Sequence, residues 1–195
     1  MTLGFVFMAS GFGRRFGSNK LLYPIDGAPL YTHALSSLIE AANELKSDNK
    51  INLAVVSQYD EILTEARRNN LIAVYNPDSC KGITASIELG INSLAESEHY
   101  AFFVADQPYL KAETTADFIK HYLKSGKTIG CVTDSEVSGS PVIFSREFLP
   151  ELLALEGDRG GKQIVIKHPE DVFYYKVSSR ELLDMDKPED LDNQT

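Results

Sequence analysis

Between Ala9 and Lys20 the chain strings together small residues and cations, reading Ala9-Ser10-Gly11-Phe12-Gly13-Arg14-Arg15-Phe16-Gly17-Ser18-Asn19-Lys20. Small side chains let a ligand approach the backbone, and consecutive N–H groups in such a loop form a concave nest for an anion. Arg14, Arg15 and Lys20 add three positive charges, and the first 25 residues contain no acid. Those three come from a total of 19 Lys+Arg, which leaves 16 against 28 Asp+Glu and a net charge of −12 for the remainder. A cationic loop on an acidic body attracts a compact polyphosphate, while the overall field opposes nucleic acid and anionic membranes. Two common phosphate motifs are excluded by spacing. The dinucleotide fingerprint G-x-G-x-x-G needs glycine where Phe16 stands, and an acid after the second strand where Ser57-Gln58 stands. A P-loop needs Gly-Lys-Ser/Thr, whereas Lys20 follows Asn19.

A second chemical group is Asp106-Gln107-Pro108, directly after the apolar Phe102-Phe103-Val104. A carboxylate at the carboxyl end of a buried strand suits an oxygen ligand for Mg²⁺; taken alone, Asp106 also suits a turn or an N-cap. None of His33, His99, His121 or His168 falls in these loops, and Ser, His and Asp are not grouped as a triad, so the histidines read as structural or exposed. Cys80 and Cys131 lack a C-x-x-C spacing and read as reduced thiols.

These residues must be held by regular elements. Leu3–Met8 reads as a buried strand feeding the glycine-rich loop. The apolar spacing of Leu30, Ala34, Leu38, Ala41 and Leu45 predicts a helix over Leu30–Lys46, with Pro29 in its first turn. Strands are expected at Ile51–Val56, Leu71–Tyr75, Ala101–Val104, Thr128–Thr133, Pro141–Phe144 and Val172–Val177. Helices are expected at Glu61–Arg68, Ala85–Leu94, Thr114–Leu123 and Glu147–Leu155. Alternation of strand and helix with short joints implies a parallel sheet. In such a sheet ligands sit at the carboxyl ends of the strands, where Ala9–Lys20, Asn76–Thr84 and Asp106–Pro108 would converge.

The pattern Ala9-Ser10-Gly11-x-Gly13-x-Arg15-Phe16-Gly17-x-x-Lys20 resembles the nucleotide-binding signature of the MobA-like nucleotidyltransferase superfamily with a glycosyltransferase-A-like fold, specifically its molybdenum cofactor cytidylyltransferase branch. The resemblance extends to Asp106-Gln107-Pro108 and to Asp184-Met185-Asp186-Lys187-Pro188-Glu189-Asp190, similar to the family's metal-binding motifs. It implies a single domain over residues 1–195, a doubly wound three-layer α/β/α fold with a mostly parallel sheet, nucleotide-diphospho-sugar transferase-like. Ala9, Ser10, Gly11, Phe12, Gly13, Arg15 and Lys20 would bind the nucleotide, with Arg15 and Lys20 neutralising its triphosphate. Asp106 and Asp186 would hold Mg²⁺, and Arg15, Lys20 and Asp106 would carry catalysis. Lys81-Gly82-Ile83-Thr84-Ala85-Ser86 resembles the family's Gly-x-x-x-Ser helix start, assigning Gly82 and Ser86 to the nucleotide; an ordinary capped helix fits the same residues. Gly139-Ser140-Pro141 occupies the family's Gly-His-Pro position with Ser140 in place of the histidine. Gly157-Asp158-Arg159-Gly160-Gly161 matches a family loop, so Ser140, Pro141, Asp158, Arg159 and Gly160 would face the molybdopterin. Ser10 stands where the family has alanine.

The activity implied is transfer of CMP from CTP to the molybdenum cofactor with release of pyrophosphate, for use by a partner molybdenum hydroxylase. A phosphate monoester is already an anionic nucleophile at pH 7, so positioning and charge stabilisation matter more than a general base, in keeping with the absence of histidines from these loops. The base and the acceptor rest on the resemblance. A guanylyltransferase or a sugar-phosphate nucleotidyltransferase would use the same phosphate loop and carboxylates, and a non-catalytic cofactor carrier is a reading of a different class. Composition agrees with an ordinary globular protein: 43% of residues are hydrophobic and 24% charged. No apolar run approaches the ~20 residues a membrane helix needs, and Met1–Met8 lacks the basic start and cleavage pattern of a signal peptide. Cytoplasmic residence is the expectation.

Overall fold

The computed structural model describes residues 1–11 and 19–185. Their framework is a seven-stranded sheet. In chain order its strands are β1 (Thr2–Met8), β4 (Lys50–Ser57), β5 (Ile72–Tyr75), β6 (His99–Val104), β7 (Ile129–Thr133), β8 (Ser138–Ser145) and β9 (Val172–Lys176), while β2 (Pro24–Ile25) and β3 (Ala28–Pro29) form a separate small hairpin. The spatial order is β5-β4-β1-β6-β8-β7-β9. Strand β8 runs antiparallel to both its neighbours and the remaining pairs are parallel.

Apolar side chains alternate along β1 and bury both faces, as a strand covered on two sides requires. Leu3, Phe5 and Phe7 enter one core, while Val6 enters the other. On the first face lie α1 (Leu30–Leu45), α2 (Asp60–Arg68) and α4 (Ala112–Ser125), contributing Leu35, Leu38, Ile62, Phe118 and Ile119. On the second lie α3 (Ile83–Ser93), α5 (Leu149–Leu153) and α6 (Lys162–Lys167), contributing Ile87, Ile91, Leu152, Ile164 and Val165. This is the doubly wound three-layer α/β/α arrangement with a mostly parallel sheet. Helix α3 reaches β1 at Gly90, where a Cβ would come within 2.3 Å of Val6 Cγ1, so the helix settles close to the strand only with glycine there.

Element boundaries agree with the periodicity to within one to three residues over most of the chain. The stretch expected as one helix at Glu147–Leu155 is divided into a 3-10 turn, Arg146–Phe148, and then α5. Pro150 sits at the start of α5, where its missing N–H costs nothing, and restarts the helix. Helix α6 has six residues and the β2–β3 hairpin two-residue strands, too short for a periodic signal. The hairpin turns on Asp26 and Gly27, both at positive φ. Among the described residues no helix is long and apolar enough to cross a membrane.

Candidate functional site

Strands β1, β4, β5 and β6 are parallel, so the segments that follow them gather at one edge of the sheet. The segment after β6 bends away at Ala105, whose N–H donates to Met8 O, and presents Asp106. From the other side, Asn19 caps a 3-10 turn, Lys20–Leu22, by accepting from the Leu21 N–H at 3.1 Å. Lys20 thereby enters the site only 9% exposed, and its Nζ lies 2.7 Å from Asp106 Oδ2. Two charges withdrawn from water in this way persist because each compensates the other.

The C-terminal segment is tied to the same place. The Met185 N–H donates to Asp106 O at 3.0 Å, and buried Gln107 donates through Nε2 to Asp184 Oδ1 at 3.0 Å. Asp186 is the next residue and lies outside the described residues, as do Phe12, Gly13 and Arg15. Arg180 stacks its guanidinium 4.7 Å above the Tyr109 ring, and a 3-10 turn, Ser179–Leu182, closes with a capping box between Ser178 and Glu181. Burial would push the Glu181 carboxyl up, but the polar groups around it, among them the Ser178 hydroxyl and N–H that donate to its Oε2 at 2.8 and 3.2 Å, outweigh it and hold the group below its ordinary value. A depressed carboxyl stabilises the fold above its unfolded-state pKa of about 4.3, and the contribution is lost as pH falls through the folded value. Glu181→Gln is therefore expected to be less stable than the parent at pH 7, with the gap narrowing below about pH 4.3. Urea midpoints measured from pH 7 to pH 3 check this; a gap independent of pH would contradict it.

At the entrance to the glycine-rich loop, three successive carbonyls are held by three successive side chains that run from the last residue of β4 into the turn after it. Ser57 Oγ donates to Ala9 O, Gln58 Nε2 to Ser10 O and Tyr59 OH to Gly11 O, each at 2.8 Å. The Ser10 hydroxyl is likewise engaged: it donates to Val56 O at 3.2 Å and accepts from Asn76 Nδ2 at 3.2 Å. Asn76 Nδ2 also reaches Ser86 Oγ at 3.1 Å, so the serine of the helix start is joined through a buried amide to the glycine-rich loop. The hydroxyl that departs from the family's alanine thus points into the protein and braces the loop. Ser57, Gln58, Tyr59 and Asn76 are site residues that motif reading missed; the signal for them is polarity immediately beyond the apolar β4 and β5.

Gly82 caps α3 at φ +94°, ψ −170°, a region open to glycine alone. The Thr84 N–H and Oγ1 both donate to Gly157 O, at 3.3 and 3.0 Å. The Gly157–Gly161 loop therefore folds onto the start of α3. Beside it opens a cleft of about 360 Å³, with Ile83, Ile87, Phe102, Val142 and Phe144 among its apolar walls. Asp106, Gln107, Asp184, Ser140, Gly160 and Lys162 supply polar lining. Ser140 and Gly160 thus share a cleft with Asp106, whereas Pro141, Asp158 and Arg159 are not among its lining. Cys131 is buried in the wall; burial pushes its thiol up to about 11, and it stays protonated and weakly nucleophilic. Cys131 and exposed Cys80 are free thiols.

The histidines have structural partners: His33 bonds Ile25 O, His99 the Tyr122 hydroxyl, His121 Asp117 O, and His168 the Glu151 carboxylate. His168, Glu170 and Asp171 cluster just ahead of β9, at the amino ends of the parallel strands and away from Asp106.

The comparisons with known proteins agree with this architecture. Rv0371c from Mycobacterium tuberculosis H37Rv superposes with a TM-score of 0.77 at 21% identity, over 97% of this chain and 94% of that one. A manganese complex of the same protein gives 0.67 at 20% identity, over 91% and 88%. A nucleotidyl transferase from Methanothermobacter thermautotrophicus gives 0.79 at 18% identity, over 97% and 94%. Molybdopterin-guanine dinucleotide biosynthesis protein A from Archaeoglobus fulgidus gives 0.66 at 16% identity, over 98% and 95%. Likeness at these identities speaks for the fold. No curated protein sequence matches the chain. A family model, the MobA-like NTP transferase domain, matches residues 5–172, which is most of the chain. The chain belongs to the MobA-like NTP transferase family.

Proposed function

We propose that this NTP transferase moves CMP from CTP to the phosphate of the molybdenum cofactor and releases pyrophosphate, with Mg²⁺ as its metal. The observation that carries the reading is the mostly buried Lys20–Asp106 pair, 2.7 Å apart at the carboxyl edge of the sheet. Ala9, Ser10, Gly11, Phe12, Gly13 and Arg15 would line the nucleotide's phosphates with Lys20, and Gly82 and Ser86 would support them from the start of α3. The acceptor would enter the cleft between Ser140, Gly160 and Asp106.

Asp106 offers the carboxylate oxygen that a hard divalent cation takes, and Asp184 lines the same cleft. Asp106 and Asp186 would hold Mg²⁺, which when bound supplies charge neutralisation at the phosphates. In the reaction, an oxygen of the acceptor's phosphate forms a bond to the α-phosphorus. The bond from that phosphorus to the oxygen bridging it to the β-phosphate breaks, and pyrophosphate leaves with the electron pair. Lys20 and Arg15 would stabilise the negative charge that builds on the leaving group. The acceptor phosphate is already deprotonated at neutral pH, so no side chain is needed as base. The product would pass to a partner molybdenum hydroxylase.

The test is pyrophosphate release with Mg²⁺ and molybdenum cofactor, comparing CTP, GTP, ATP and UTP. Release selective for CTP is expected. Selectivity for GTP, or turnover with a sugar phosphate alone, would keep the chemistry and overturn the substrate assignment. Cofactor binding without release from any nucleotide would favour a carrier.

A further inference from the structure

Ser57, Gln58 and Tyr59 meet Ala9, Ser10 and Gly11 in step, one donor to one carbonyl. We infer that Gln58 and Tyr59 are positioning residues for polyphosphate binding, which fix the Ser10 and Gly11 carbonyls on the β4 side so that amide N–H groups of this segment face the ligand. The inference rests on the nucleotidyltransferase reading and deepens it.

The argument follows from peptide geometry. In a trans peptide the C=O and the following N–H point in opposite directions. Along an extended strand successive carbonyls alternate sides, yet here three in a row face one neighbouring turn. Ala9 still faces β4 with both its N–H and its carbonyl, as a strand residue does, so the backbone leaves strand geometry at Ser10, and the N–H groups of Ser10 and Gly11, which share peptides with the Ala9 and Ser10 carbonyls, gather on the side away from β4. That is how a nest for an anion begins. Without the two donors, a peptide could rotate its carbonyl toward the site and present partial negative charge to the polyphosphate.

The donors are themselves fixed. The Tyr59 N–H donates to Ser57 Oγ at 3.1 Å, and Gln58 Nε2 also reaches the Tyr59 hydroxyl at 3.3 Å. Burial pushes the Tyr59 phenol above its usual pKa, so it remains a donor at every pH at which the protein would be assayed. Both side chains act through backbone they brace.

Tyr59→Phe removes one hydroxyl, and Gln58→Met removes the amide at similar volume. The readouts are kcat and KM for CTP, the Kd for inorganic tripolyphosphate with Mg²⁺ by calorimetry, and the melting temperature. Each variant is expected to raise KM and the tripolyphosphate Kd by roughly five- to tenfold, the size of one hydrogen bond, with kcat changing less and melting nearly unchanged. The double variant should exceed either single one. A fall in melting temperature with KM and Kd unchanged would overturn the inference, as would a loss confined to kcat. Active parent protein with unaltered variants sinks the inference alone. Parent protein that neither binds tripolyphosphate nor releases pyrophosphate overturns the nucleotidyltransferase reading together with it.

Discussion

Asp106→Asn is expected to lower pyrophosphate release by on the order of 10²–10³-fold, the usual cost of removing one preorganised charge-stabilising group from an active site. Asparagine keeps the volume and one oxygen, so the segment after β6 can still accept from Met185 and seat Gln107 against Asp184. What changes is charge: Lys20 Nζ, held 2.7 Å from the carboxylate, loses the Asp106 charge beside it, and the proposed metal loses a ligand. Lys20→Met should cost a similar factor. Because the two groups act as a unit, the double variant should be little worse than either single one. Steady-state pyrophosphate release measures this, and thermal melting separates loss of activity from loss of fold. Parental turnover in Asp106→Asn would remove Asp106 from the chemistry.

Gly82→Ala is expected to destabilise the fold by roughly 1–3 kcal/mol from backbone strain alone. At φ +94° an L side chain is strained whatever the space, and here there is no space: the added Cβ would lie 2.5 Å from Gly157 O and 2.5 Å from Asp158 Oδ1. For a chain of this size each kcal/mol lowers the melting temperature by about 2–4 °C, so a fall of roughly 2–12 °C is expected by scanning calorimetry. Relief by displacing the Gly157–Gly161 loop would break the Thr84 bonds and disturb the cleft, so binding of the acceptor should weaken too. Gly157→Ala is the comparison, because Gly157 has φ +64° but open space around it. A smaller shift is expected there, and the reverse order would refute the steric account.

Much of the fold was legible in one chain because a strand buried on both faces must be apolar along its length and a covering helix must be apolar on one side. Leu3–Met8 and Leu30–Lys46 carry those patterns plainly, and their observed limits differ by one residue. The pattern fails where elements are short or where a proline interrupts: α6, the β2–β3 hairpin and the division before α5 follow from local turn geometry. Of the candidate site, residues with unusual types at motif spacing, such as Lys20 and Asp106, could be singled out from sequence, and they lie together across 86 positions. Their supports could not. Gln58, Tyr59 and Asn76 are ordinary polar residues whose importance lies in which carbonyl or hydroxyl they reach. Ser10 shows the opposite case, since its identity suggests contact with a ligand while its hydroxyl is occupied inside the protein.

The pairing of residues 57, 58 and 59 with residues 9, 10 and 11 keeps a constant offset of 48 positions. Such a rack tolerates substitution at one tooth better than a change in count. Deleting Gln58 would remove one donor and at the same time put Tyr59 out of phase with its carbonyl, while Ser57, the last residue of β4, keeps its place. Descendants of this sequence should therefore accept altered side chains at Gln58 or Tyr59 more readily than any change in length there, whereas insertions between α1 and β4, which leave both halves of the rack whole, should be common.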